Sequence, residues 1–142
     1  MSSKRVWAVA GGMTLIAVLA TAPRSFGADK TVKDGVFTAA QATRGAALYK
    51  TQCASCHGVD LSGGKDAPAL TGADFLGFWD KTPVSDLVTK IRDSMPQSAP
   101  GSLSAEQATD LVTYVLRSNK FPAGAAALPS NAAAQKTIKI VK

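Results

Sequence analysis

The five residues Cys53-Ala54-Ser55-Cys56-His57 hold both cysteines and the only histidine of this 142-residue chain. Whatever fold the chain adopts must give those three side chains a common task. A thioredoxin-like dithiol belongs beside a βαβ unit, and no strand–helix–strand pattern surrounds this pair. A zinc site needs a fourth ligand and a different spacing, and the chain has no further Cys or His. A Cys53–Cys56 disulfide would close a tiny loop and restrain very little of the unfolded chain.

The N-terminus says where the motif operates. "MSSKRVWAVAGGMTLIAVLATA" opens with Lys4 and Arg5 and continues as an uncharged apolar run from Val6 to Ala22. That pattern is an export signal. Pro23 disfavours cleavage after "ATA", so the small residues of "SFG" place the cut after Gly27 and the mature protein in the periplasm. The alternative is an uncleaved membrane anchor, since 17 apolar residues lie at the short edge of a span. The chain then divides into an export signal (1–27), an N-terminal extension (28–37), one domain (38–119) and an Ala/Pro-biased tail (120–142). Loss of Lys4, Arg5 and Arg24 lowers the formal charge from +6 to +3. With no Lys/Arg run and no basic–aromatic interleaving, nucleic acid is not a partner.

C-x-x-C-H is the attachment motif for a c-type haem. The two thiols add across the vinyl groups as thioethers, and the adjacent imidazole faces the iron. One covalent haem therefore uses Cys53, Cys56 and His57 together. For the other iron face a second His is impossible. Met1 and Met13 leave with the signal, so Met95 is the remaining thioether and the expected second axial ligand, in the His/Met pattern of electron-carrying cytochromes. A lysine ligand or an open position is the alternative.

Three helical patterns stand out. Thr38 and Gln41 form a capping box that starts a helix at Ala39. Ala42, Gly45, Ala46, Tyr49 and Cys53 lie near one of its faces. Gly45 costs about 1 kcal/mol there relative to Ala, which makes sense if another helix crosses closely. A second helix has Thr82 as cap and Pro83 at its first position. It carries the stripe Val84, Leu87, Val88, Ile91 and ends near Ser94, before Pro96. A third is opened by Ser104 and Gln107, with Leu103 stapled to Ala108; Leu111, Val112, Val115 and Leu116 face inward, and Asn119 stops it. The Gly-rich stretch between the first two helices reads as loop with at most short turns. "KTIKIV" near the end is the one candidate strand. The tail could wrap the domain, reach a partner or be loose.

From Thr38 to Asn119 the chain resembles a class I, single-haem c-type cytochrome. Gly45, Tyr49 and Cys53 keep the spacing of that family's first helix, and Leu111 and Tyr114 that of its last, the two helices crossing at the glycine. The resemblance implies an all-α fold: a small cytochrome c fold of three main helices and Gly/Pro-rich loops around the haem. It also implies that the Pro68 carbonyl, in "DAPALTG", orients His57, and that Trp79 donates its indole N–H to a haem propionate. Leu70, Phe75, Phe78, Leu87, Val88 and Ile91 become candidates for the pocket wall. "SMPQSAPGSLS" and "SNKFPAG" look like cytochromes found alongside exported bacterial quinoprotein dehydrogenases.

The expected function is therefore a one-electron carrier without substrate chemistry of its own. It takes electrons from a dehydrogenase, such as a quinoprotein, and passes them to a terminal oxidase or another cytochrome. One rival is a permanent cytochrome subunit of a larger oxidoreductase, to which the tail could belong. The other is a ligand sensor or peroxidase-like enzyme, which needs an open iron face and a polar distal group; Arg44 and Arg92 are the arginines to consider.

Overall fold

The computed structural model describes residues 30–142, so the export signal and its cleavage after Gly27 lie outside the described residues. A two-residue strand β1 (Lys30–Thr31) and a single 3-10 turn lead into helix α1 (Ala39–Gln52). There follow α2 (Ala54–His57), α3 (Gly72–Trp79), α4 (Val84–Ser94), α5 (Ala105–Ser118), α6 (Ala132–Lys136) and strand β2 (Ile138–Lys139). The fold is mostly helical. Among the described residues no helix is long and apolar enough to cross a membrane.

Both capping boxes form. Thr38 Oγ1 accepts from the Gln41 amide at 3.3 Å while Gln41 Oε1 accepts from the Thr38 amide at 3.2 Å. Ser104 and Gln107 reciprocate at 3.1 and 2.9 Å. Each box satisfies two of the amides that a helix start leaves without partners.

The crossing of α1 and α5 organises the core. A Cβ built on Gly45 would sit 1.9 Å from the Asp110 carbonyl oxygen and 2.9 Å from Tyr114 Cβ. Only glycine permits that approach. Tyr49 and Tyr114 then pack with ring centroids 5.2 Å apart, and Arg44 holds Asp110 through two bonds of 2.7 and 2.9 Å. Leu111, Leu116 and Phe37 are fully buried in the core.

Two local expectations are corrected. Residues 72–79, read as loop, form α3. The helix has no side-chain cap bond and carries glycines at 72 and 77, so its start signal is missing. It is held by burial of Phe75 and by Asp74 in the first turn, where a carboxylate complements the helix dipole. Pro83 precedes α4 as its N-cap, with ψ at 147°, rather than occupying the first helical position. Thr82 does not cap; its hydroxyl donates to the Trp79 carbonyl at 2.8 Å.

The tail wraps the body. Leu128, Ile138 and Ile140 are buried. Leu128 exchanges two hydrogen bonds with the Gln41 side chain, at 2.8 and 2.9 Å. Gln135, also buried, donates to Thr109 on α5 at 2.9 Å. β2 pairs in parallel with β1, Lys30 opposite Ile138. Beyond it, Ile140 donates to Thr82 at 2.9 Å and accepts from Lys81 at 2.8 Å, which pins the link between α3 and α4.

Candidate metal centre

The helix that begins with α1 breaks at Cys53, whose φ and ψ are −129° and −34°, and restarts as α2. The Cys56 and His57 amides both bond back to the Cys53 carbonyl, at 3.1 and 3.0 Å. One tight turn therefore carries both thiols and the imidazole. The cysteines are not bonded to each other; Cys56 is exposed and Cys53 half-buried. Burial pushes the Cys53 thiol up to about 11, and the neighbouring Cys56 adds to the effect.

After Gly58 the chain runs a long loop back to the motif. Gly63 adopts φ +78°, and its Cα faces the backbone of Pro68 and Ala69 so closely that a Cβ would come within 2.4 Å of the Ala69 nitrogen. This fold-back sets the Pro68 carbonyl oxygen 2.8 Å from His57 Nδ1. If that nitrogen carries the proton it donates to Pro68, and Nε2 is left with a free lone pair. At the loop's start, the Tyr49 hydroxyl donates to the Gly58 carbonyl at 2.6 Å. Burial, with Cys53 nearby, pushes the Tyr49 phenol up to about 12.

These groups open onto a cavity of about 750 Å³, within the range of pockets that take a large organic ligand. Cys53, Cys56, His57, Pro68, Trp79 and Met95 all line it. Met95 is the C-cap of α4, its amide bonded to the Ile91 carbonyl at 3.0 Å. Leu70, Phe75, Phe78, Leu87 and Ile91 form apolar wall, joined by Leu111 and Val115 of α5. Val88 is the exception: it is buried in the core and does not reach the cavity. On α4 it lies one residue around from Leu87, on the side turned towards the interior. Trp79 is half-buried and stacks edge-on with Phe78 at 5.2 Å; its indole N–H has no protein partner among the described residues. Phe78 itself is 77% exposed.

The polar groups on the wall are Gln52, Asp66, Asp74, Lys90 and Gln97. Neither arginine weighed above lines it. Arg44 is held by Asp110, and Arg92 bonds Asp93 at 2.8 Å. Among the described residues no three His, Cys, Asp or Glu side chains converge as a metal cluster. Sequence reasoning missed the side-chain bonds to the loop after the motif, from the Tyr49 hydroxyl to Gly58 and between the Asn119 amide and Leu70 and Gly72. An aromatic nine residues before a glycine and a polar residue at a helix end carry no signal of a bond across the fold.

Comparison with known proteins points the same way. The family model described as cytochrome c oxidase, cbb3-type, subunit III matches residues 40–115. A cytochrome bc1 complex cytochrome c subunit of Corynebacterium diphtheriae is 30% identical over 95 residues, covering 63% of this chain and 31% of the relative. A cbb3-type cytochrome c oxidase subunit CcoP of Cereibacter sphaeroides is 33% identical over 79 residues, covering 54% and 27%. The chain thus spans less than a third of the length of these curated relatives. The solved structure of the sulfane dehydrogenase SoxCD from Paracoccus pantotrophus aligns with a TM-score of 0.47 and 23% identity, over 66% of this chain and 52% of that one; so slight a likeness carries no argument.

Proposed function

The chain belongs to the family of cytochrome c oxidase, cbb3-type, subunit III, and from that premise we propose that it is an exported carrier of single electrons holding one haem c. Membership makes it an electron-transfer protein of the cytochrome c kind. The finer reading is that Cys53 and Cys56 would anchor the haem as thioethers while His57 and Met95 would hold its iron. The observation that carries it is a single, largely apolar cavity lined by both thiols, the imidazole and the one methionine among the described residues.

The donor set suits the group. When bound, haem c supplies a one-electron ferrous/ferric couple. The Pro68 carbonyl fixes the His57 ring by accepting from Nδ1 and keeps Nε2 free as a ligand. Met95 at the end of a rigid helix offers a weakly donating thioether. Phe75, Leu87, Ile91, Leu111 and Val115 exclude water, which disfavours the more highly charged ferric form and raises the potential. The unpartnered Trp79 N–H is free to donate to a propionate. Held by His57 and Met95, a haem would keep the same two protein ligands in either oxidation state, which would keep the reorganisation of electron transfer small. Arg44 and Arg92 are engaged elsewhere, which leaves the sensor or peroxidase-like reading without its usual distal group.

Donor and acceptor are other redox proteins. We assign a dehydrogenase, such as a quinoprotein, as donor and a terminal oxidase or a second cytochrome as acceptor. The location follows from the export signal, with cleavage after Gly27, which the N-terminal sequence of the secreted protein tests. A permanent place in a larger oxidoreductase is the second reading. It is favoured by relatives named as complex subunits, while the tail is anchored on its own body by Leu128, Gln135, Ile138 and Ile140.

The test is the optical spectrum of purified holoprotein in the oxidised, reduced and carbon monoxide-treated reduced states. Sharp low-spin reduced bands that ignore carbon monoxide are expected, and Met95→Ala should open the site to it. Rapid carbon monoxide binding by the unmutated protein would overturn the Met95 assignment.

A further inference from the structure

The loop between α2 and α3, residues 58–71, carries the Pro68 carbonyl to His57. Most of its hydrogen bonds are internal or return to α2: Gly63 to the His57 carbonyl at 2.8 Å, Gly64 to Ala67 at 2.8 Å, and Leu70 to Leu61 at 2.9 Å. These give the loop a shape but do not fix it to the helical body. Leu61 anchors the loop's interior in the core, but the loop's two ends open locally unless they too are held.

Side chains from the two crossing helices supply the holds. Tyr49 of α1 grips the start at Gly58. Asn119, the C-cap of α5, grips the end. Its Nδ2 donates to the Leu70 carbonyl at 2.9 Å, and its Oδ1 accepts from the Gly72 amide at 3.1 Å. The same Nδ2 also reaches the Val115 carbonyl at 2.9 Å, which ties the side chain to its own helix. Asn119 therefore presents a donor and an acceptor side by side to two backbone groups, as a neighbouring strand would. Its base is firm, because α5 is locked to α1 where Gly45 meets Asp110. Among the described residues, only Tyr49, His57 and Asn119 reach residues 58–72 with side-chain hydrogen bonds from outside that stretch.

We propose that Asn119 is a positioning residue of the cofactor site: by clipping Leu70 and Gly72 to α5, it holds the Pro68 carbonyl on His57. The proposal rests on the haem reading above for its functional meaning. Leu70 and Val115, the backbone sites it joins, belong to residues that line the same cavity. A helix cap alone would need neither bond across to the loop.

The test uses ferrous holoprotein and hydrogen exchange followed by NMR. Asn119→Leu keeps the size but removes donor and acceptor. Asn119→Asp keeps the acceptor for Gly72 and sets an oxygen against the Leu70 carbonyl. Ser118→Ala is the control, since it removes a bond to the Tyr114 carbonyl within α5 and touches no loop residue. In Asn119→Leu, the Gly72 amide and the His57 Nδ1 proton should both exchange about tenfold faster, the effect of losing a hydrogen bond on local opening. Asn119→Asp should fall between, and Ser118→Ala should leave both rates unchanged even if it melts earlier. If Asn119→Leu lowers the melting temperature while the His57 proton exchanges as in the wild type, Asn119 is only a cap and the proposal fails. If the unmutated protein shows no ligand resonances from His57 or Met95, the haem reading fails instead. The Gly72 amide rate then still decides whether Asn119 clips the loop to α5.

Discussion

Gly45→Ala tests the closest contact in the fold. The new methyl carbon would lie 1.9 Å from the Asp110 oxygen and 2.6 Å from its carbonyl carbon, where ordinary contact begins near 3.4 Å. The obstructing atoms are helix backbone, fixed by the hydrogen-bond ladder of α5, so no rotamer change relieves them. The helices must part by about 1.5 Å, which loosens the Tyr49–Tyr114 contact and the Arg44–Asp110 pair together. Overpacking of this kind costs ~3 kcal/mol, while alanine returns ~1 kcal/mol through helix propensity. A net loss of ~2 kcal/mol corresponds to a fall of about 8 °C in a domain of this size. Thermal unfolding of the holoprotein, followed by far-ultraviolet circular dichroism, reads it directly. An unchanged or raised midpoint would mean that α1 and α5 do not cross at this glycine.

Two further outcomes follow from buried groups. Tyr49→Phe should cost ~1 kcal/mol at neutral pH by leaving the Gly58 carbonyl without its donor. It should also flatten the alkaline fall in stability. The folded phenol titrates near 12 rather than 10, so between those values the unfolded chain gives up a proton that the folded one keeps, and stability declines by up to ~3 kcal/mol. Urea titrations of both proteins at either end of that window decide it, and parallel curves would refute the role given to Tyr49. Ile140→Ala should destabilise by ~2–5 kcal/mol, since the side chain is fully buried and leaves a cavity. A loss below ~0.5 kcal/mol, the level of a surface substitution, would place the tail outside the cooperative unit.

The parts of this fold legible in the sequence were those with local chemistry. Cys53, Cys56 and His57 sit in one turn, and two capping boxes announce α1 and α5 by residue type alone. Gly45 was legible because its cost in a helix demands a reason. What escaped was non-local. α3 has no capping residue of its own and two glycines, the Gly72 amide being met instead by Asn119 from α5, and its burial comes from the cavity side rather than from a periodic stripe. Val88 shares its stripe with Leu87, yet one step around the helix separates core from cavity wall. The Asn119 amide meets its partners 49 and 47 residues away, a distance at which residue type says nothing about pairing.

The strap that joins the two ends of the described chain has a consequence for the order of folding. The Lys33 ammonium meets the Lys142 carbonyl across 109 residues, and β1 meets β2 over a similar separation. In an unfolded chain, closing so long a loop costs ~4 kcal/mol beyond a constant term. Once α1 and α5 have crossed, most of that search is already over. Closure of the strap therefore depends on the helix crossing being in place first. Once closed, it holds Lys81 and Thr82, the backbone next to Trp79, through Ile140.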